Sequence, residues 1–148
     1  MGLFRAIAAT ASGLAAQRVR MDVVSGNVAN IDSTSTADGG GAYRRHVVRV
    51  GSASGGLPFA DVARQLTGQP DAGVVTTQVG LDTTTPARQI YQPAHPDADE
   101  QGYVELPNVD LVTEMTDLTS ANRSYQANVT VLNAVKQMAL RALDIGSR

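Results

Sequence analysis

Residues 109 to 145 contain neither proline nor glycine, and this uninterrupted run of 37 residues constrains the fold more than any other feature. As a helix it would be roughly 55 Å long. Pro107 and Asn108 precede it, and Gly146 is a suitable stop. The spacing predicts one narrow apolar or semi-polar stripe, with steps of three and four residues, at Leu111, Met115, Leu118, Asn122, Tyr125, Val129, Leu132, Lys136, Ala139 and Leu143.

A second helix is predicted over residues 3 to 31, where alanine is frequent and favours helix formation. Asn27 and Asn30 stand near its end, where we interpret them as capping residues that could also contact a neighbour. Its stripe has the same three and four spacing, at Leu3, Ile7, Thr10, Leu14, Gln17, Met21, Val24, Val28 and Ile31.

The middle of the chain has the composition of a loop followed by short strands. Residues 32–42 are polar and glycine-rich, which predicts a loop. Strand-like runs rich in valine, threonine and tyrosine follow at 43–50, 73–81, 89–91 and 103–106. The predicted fold class is therefore α+β, with four parts: an N-terminal helix (1–31), the loop (32–42), a small β-rich domain (43–106) and a C-terminal helix (107–148).

The predicted helices have more surface than the middle of the chain can cover. Aromatic residues make up only 4% of the sequence and there is no tryptophan, so the core must be thin. We therefore expect the helices to pair as an antiparallel coiled coil and to pack further against other subunits. Arg18 and Arg20 would then lie near the acidic residues Asp110, Glu114 and Asp117. Such sparse helix surfaces also predict termini that are mobile in the free monomer and become ordered on assembly.

Several classes of function are disfavoured by composition. A net charge of −2 argues against nucleic acid as the main partner. The sequence has no membrane-spanning run and no secretory signal, which predicts either a cytoplasmic location or export without cleavage. His46 and His95, the latter near Asp97, Asp99 and Glu100, lack the spacing of a metal site. Gly39, Gly40 and Gly41 lack the rest of a phosphate-binding motif, so we expect no catalytic, cofactor or metal site.

Particular segments resemble a known family. Residues 107–115 are similar to the segment that opens the C-terminal helix of flagellar rod and hook proteins, and residues 25–30 to the Asn-x-Ala-Asn motif of flagellar axial proteins. Three further segments are similar to the proximal-rod proteins of the flagellar basal body, at residues 38–45, 91–104 and 120–133. No Thr-Pro-Gly-Tyr segment follows the Asn-x-Ala-Asn motif, which favours the proximal rod over the distal rod or hook.

This resemblance implies a structural subunit of a tubular rod that transmits torque and encloses the export channel. Implied partners are other proximal and distal rod proteins, the adapter at the membrane-embedded ring and the flagellar type III export apparatus. The implied location is the periplasmic part of the basal body, reached without a cleaved signal peptide. A secreted coiled-coil adaptor or effector and a small periplasmic enzyme are the alternatives. The candidate assembly residues are Ile7, Leu14, Met21, Asn27, Val28, Asn30, Leu111, Met115, Leu118, Tyr125, Asn128, Val129 and Leu132.

Overall fold

In the described part of the chain, two long helices flank four short strands, which confirms the α+β class. The structure is a computed structural model in which residues 2–36, 41–52 and 75–146 are described. The elements in chain order are α1 (Gly2–Ala29), β1 (His46–Ser52), β2 (Val75–Leu81), β3 (Arg88–Tyr91), β4 (Tyr103–Leu106) and α2 (Leu111–Gly146). The helices and strands lie within a few residues of their predicted positions. Residues 37–40 of the predicted loop and residues 53–74 of the predicted β-rich domain fall outside the described residues. Within the described chain, neither helix is apolar enough over 18 residues to cross a membrane.

The strands form two separate pairs. β1 pairs with β2, and β3 pairs with β4 in antiparallel register, with Arg88 opposite Leu106 and Tyr91 opposite Tyr103. The rings of Tyr91 and Tyr103 meet edge to face at 5.3 Å. Gly102 has a φ of +85°, and a Cβ there would lie 2.9 Å from the Tyr91 ring, so the tight β3–β4 connection requires glycine. A two-stranded sheet is only marginally stable alone, so each pair depends on what packs against it.

The chain divides into two compact units, and each has a core of small side chains. One unit comprises Met1–Val19, Arg49–Gln78 and Ala121–Arg148, and the other Arg20–Val48 and Val79–Ser120. Apart from Pro107, the buried aliphatic side chains of the described residues are alanine or valine: Ala16, Ala121 and Val135 in the first unit, and Val24, Ala42, Val104 and Val109 in the second. Small side chains allow helices to approach closely.

One such close approach lies in the first unit, between the two helices. A Cβ added to Gly13 of α1 would lie 3.1 Å from Nδ2 of Asn128 in α2. That distance is shorter than an ordinary van der Waals contact, so glycine makes room here for the asparagine side chain.

The buried face of α2 differs from the predicted stripe. Glu114, Ala121 and Val135 are buried, whereas Met115 and Leu143 of the predicted stripe are 58% and 70% exposed. At positions 114, 121 and 135 the buried residue precedes the predicted one by a single position. The stripe was wrong there because the chain covers a small alanine and a charged glutamate, which a hydrophobic pattern does not select, and leaves larger apolar side chains outside.

The helix ends next to the middle segment are fixed by side-chain hydrogen bonds. Asn30 Nδ2 donates to the Gly26 carbonyl at 2.9 Å, which confirms the predicted capping role of Asn30 at the end of α1. At the start of α2, the backbone N–H of Thr113 donates to Asp110 Oδ2 at 3.0 Å and its hydroxyl donates to the same oxygen at 2.6 Å. Asp110 is therefore the N-cap of α2. These hydrogen bonds to Thr113 lower the pKa of the Asp110 carboxyl group.

The Asp110 cap predicts a pH-dependent contribution to stability. A carboxyl group whose pKa is lower in the folded state stabilises the fold above its unfolded pKa of about 3.9 and loses that contribution as pH falls through the folded value. Asp110→Ala should therefore lower the urea midpoint at pH 7 and differ progressively less from wild type below pH 4. Asp110→Asn, which can still accept the Thr113 N–H, is the matched control and should lose less. An equal loss in both variants at pH 7 would contradict the capping assignment.

Candidate functional site

Asn27, in the last turn of α1, is fully buried and bonded on every side. Its Nδ2 donates to the His46 carbonyl at 2.9 Å and to Glu114 Oε2 at 3.0 Å. Its Oδ1 accepts the backbone N–H of His46 at 2.9 Å and the Tyr43 hydroxyl at 3.0 Å. Two donated and two accepted bonds are the full capacity of a primary amide. The capping role predicted for Asn27 was therefore wrong, because its amide joins α1 to the start of β1 and to α2.

The side chain of Glu114, in the first turn of α2, has no exposed surface and forms an ion pair with the guanidinium group of Arg45. Arg45 Nε donates to Glu114 Oε1 at 2.6 Å, and Asn27 Nδ2 donates to the other carboxylate oxygen, Oε2. A buried carboxylate is tolerated only when it is paired and hydrogen-bonded, and here both oxygens are. Arg45 keeps 22% of its side chain exposed and also reaches the half-exposed Asp117 at 3.5 Å.

The basic partner of these carboxylates differs from the one predicted. Arg18 and Arg20 of α1 were expected near Glu114 and Asp117, but both acidic groups pair with Arg45 from the segment before β1. That segment enters the space between the acidic start of α2 and the end of α1, and Asn27 holds its backbone there. The sequence analysis did not identify Arg45 because it considered only pairing between helices.

Asn108 fastens the backbone of the same segment from the other side. Its Oδ1 accepts the Arg45 N–H at 2.8 Å, and its Nδ2 donates to the carbonyls of Asp82 and Thr85 at 3.3 and 3.2 Å. The Asp82 N–H donates to the Arg45 carbonyl at 2.8 Å. Hydrogen bonds from Thr84 and Thr85 lower the pKa of the Asp82 carboxyl group and hold this turn after β2. Asn108 therefore links the end of β2 to the approach to α2.

Tyr43 and His46 complete this cluster. Their rings lie 5.2 Å apart, and the Tyr43 oxygen is 2.7 Å from His46 Nδ1. Burial of the Tyr43 hydroxyl, and secondly the negative charge of Glu114, raise the pKa of Tyr43. We call Asn27, Tyr43, Arg45, His46, Asn108 and Glu114 the polar junction. Each of these side chains forms a hydrogen bond with another segment of the chain or with another residue of the polar junction. The polar junction therefore has a structural role, because it holds these segments together.

The candidate assembly residues fall into three groups. Asn27 is buried, and Leu111 and Met115 are exposed. The remainder are half-buried: Ile7, Leu14, Met21, Val28, Asn30, Leu118, Tyr125, Asn128, Val129 and Leu132. His95 was considered above as a possible metal ligand together with Asp97. Its Nδ1 lies 4.0 Å from Asp97 Oδ2, and neither residue belongs to the polar junction.

Sequence reasoning missed Tyr43, Arg45, His46, Asn108 and Glu114 as one cluster. Two signals for it were present, because the segments 43–45 and 107–115 both carried the family resemblance. Glu114 lies one position before Met115 of the predicted stripe, and Arg45 lies in one of the segments that carry the resemblance. This combination could also have suggested a buried ion pair.

The polar junction predicts unequal costs for its two acidic residues. Removing one partner of a buried ion pair typically costs about 3 to 5 kcal/mol, because the other charge is left uncompensated. Since Arg45 is partly exposed, Glu114→Ala should cost about 3 kcal/mol in free energy of unfolding, read from urea titrations. Asp117→Ala, which removes the longer and more exposed contact, should cost less than about 1 kcal/mol. Similar losses in the two variants would contradict the role given to Glu114.

Two family models match the two ends of the chain. Residues 7–36 match the model described as flagella basal body rod protein. Residues 100–145 match the model described as flagellar basal body rod FlgEFG protein C-terminal. Asn27 lies within the first match, and Asn108 and Glu114 lie within the second.

Full-length relatives give the same assignment. The chain is 43% identical to the flagellar basal-body rod protein FlgC of Bacillus subtilis, with 99% of each chain covered. It is 43% identical to FlgC of Borreliella burgdorferi over 98% of each chain, and 40% identical to FlgC of Salmonella typhimurium over 99% of each. Identity at this level across nearly the whole length confirms the resemblance seen in the sequence. The chain belongs to the FlgC family and is a structural subunit of the rod of the bacterial flagellar basal body.

Proposed function

We propose that this rod subunit assembles through its two terminal helices into a tubular axial structure that transmits torque and encloses the export channel. The observation that carries the proposal is the apolar surface that α2 leaves exposed. The side chains of Val112, Met115 and Leu143 are 72%, 58% and 70% exposed, and Leu111, Val131, Met138 and Leu140 are also exposed. Burial of apolar surface contributes about 25 cal/mol per Å², so neighbouring subunits would gain stability by covering it.

Contacts between the helices support the proposed antiparallel pairing. In one unit Gly13 of α1 lies against Asn128 of α2, and in the other Asn27 of α1 bonds to Glu114 of α2. The predicted parts 1–31, 32–42, 43–106 and 107–148 would then correspond to an assembly helix, a loop, a β-rich region and a second assembly helix.

The proposed role is passive, without catalysis or a cofactor. Its partners would be other proximal and distal rod proteins, the adapter at the membrane-embedded ring and the type III export apparatus. The subunit would reach the periplasm through that apparatus without loss of a signal peptide. Helix regions with narrow buried faces would become fully ordered when neighbouring subunits cover them.

The proposed assembly surface excludes one of the predicted residues. Asn27 has no exposed surface, and its side chain makes all four of its possible hydrogen bonds within the chain. It would therefore support assembly indirectly, by stabilising the fold of the subunit. The exposed Leu111 and Met115 are the most accessible members of the predicted set. The half-buried members would be covered further by neighbours, and these are Ile7, Leu14, Met21, Val28, Asn30, Leu118, Tyr125, Asn128, Val129 and Leu132.

Met115→Asp should separate folding from assembly. Met115 is mostly exposed, so the variant should keep the helix content of the purified protein and change its unfolding midpoint little. A charge placed in a contact between subunits would be desolvated without a partner, so the variant should not restore motility to a strain that lacks the gene. Basal bodies isolated from that strain should lack the rod and hook.

The matched control is Ser120→Asp, which introduces the same charge at an exposed polar position of α2. It should restore motility and hooks. Normal motility with Met115→Asp, at an expression level equal to wild type, would contradict the proposal that this face of α2 meets a neighbour.

A further inference from the structure

Four side chains of the polar junction form a continuous hydrogen-bonded chain. His46 Nδ1 is 2.7 Å from the Tyr43 oxygen, and that oxygen is 3.0 Å from Asn27 Oδ1. Asn27 Nδ2 is 3.0 Å from Glu114 Oε2. The chain begins at an imidazole ring that can place its hydrogen on either nitrogen and ends at a fully buried carboxylate.

The direction of each bond follows from the orientation of the Asn27 amide. The His46 backbone N–H can only donate to Oδ1, and the His46 carbonyl and the Glu114 carboxylate can only accept from Nδ2, so Nδ2 must face Glu114. Its Oδ1 then faces Tyr43, and since this oxygen also only accepts, the Tyr43 hydroxyl must donate to it. With its one hydrogen used, the Tyr43 oxygen can only accept from His46. The reverse arrangement would leave two acceptor oxygens facing each other at 3.0 Å.

We infer that Asn27, oriented by the His46 backbone and by Glu114, fixes the tautomer of His46 through Tyr43, so that the neutral ring carries its hydrogen on Nδ1. Which ring nitrogen bears the hydrogen is set by the bond that the ring makes, and here that bond is made at Nδ1. We call the sequence His46, Tyr43, Asn27, Glu114 the donor relay.

Nitrogen-15 NMR of the full-length protein labelled at histidine measures the tautomer directly. Long-range proton–nitrogen correlations distinguish Nδ1–H from Nε2–H once the ring is neutral, and His95→Gln assigns the remaining signal to His46. The wild type should show mainly Nδ1–H at His46. Tyr43→Phe, which removes the middle of the relay and keeps the ring, should lower the ratio of Nδ1–H to Nε2–H roughly fivefold, the effect of losing one net hydrogen bond.

Two further variants test the origin of the effect at Asn27. Asn27→Ala removes the oxygen that accepts the Tyr43 hydroxyl and should also lower the ratio, whereas Asp117→Asn removes a carboxylate that contacts Arg45 outside the relay and should leave it unchanged. The relay lies within one chain, so these spectra need no assembly partner. A wild-type ring that is mainly Nε2–H would overturn the inference, even if a variant failed to fold. An unchanged ratio in a folded Tyr43→Phe protein, or equal shifts in Asn27→Ala and Asp117→Asn, would overturn it as well.

Discussion

The buried carboxylate of Glu114 is the constraint on which the rest of the second unit depends. A charge with no exposed surface is compatible with a folded chain only if it is paired and fully hydrogen-bonded. Arg45 supplies the opposite charge and Asn27 supplies the second donor, and these residues come from the segment before β1 and from α1. Satisfying one carboxylate therefore joins three separate parts of the sequence. Asn108 extends the same connection to the turn after β2 through backbone hydrogen bonds.

Different residues serve folding and the proposed assembly: polar contacts within the chain stabilise the fold, and exposed apolar side chains of α2 would contact neighbouring subunits. Apart from Pro107, the buried aliphatic residues of the described core are alanine and valine, so apolar burial alone gives limited stability. Directional hydrogen bonds and an ion pair define how the segments meet. Larger apolar side chains of α2, such as Met115 and Leu143, remain outside, where a neighbouring subunit of the proposed tube could cover them. A rod subunit needs both the defined fold and the exposed apolar surface, because it must keep a defined shape and still have surface that its neighbours can bury.

Periodicity predicted both helices and the positions of the four strands, because these depend on local spacing of apolar residues and on glycine, proline and polar boundaries. It also placed Asn30 correctly as a cap, which is a local interaction. The polar junction was not predicted, because its bonds join residues up to 87 positions apart and a hydrophobic pattern assigns residues such as Asn27 and Glu114 to the surface. Arg45 was missed as the partner of Glu114 and Asp117 for a related reason, because it lies about 70 positions before them in the sequence and outside both helices.

The central claim is that Asn27 and Glu114 stabilise the fold as one coupled unit, and a double-mutant cycle with Asn27→Ala and Glu114→Gln tests it most directly. Free energies of unfolding would be measured for the wild type, both single variants and the double variant under identical conditions. Residues in one buried network show coupling of about 0.5 to 3 kcal/mol, and we expect about 1 kcal/mol or more here. Losses that add to within about 0.3 kcal/mol would show that the two side chains act independently and would contradict the account.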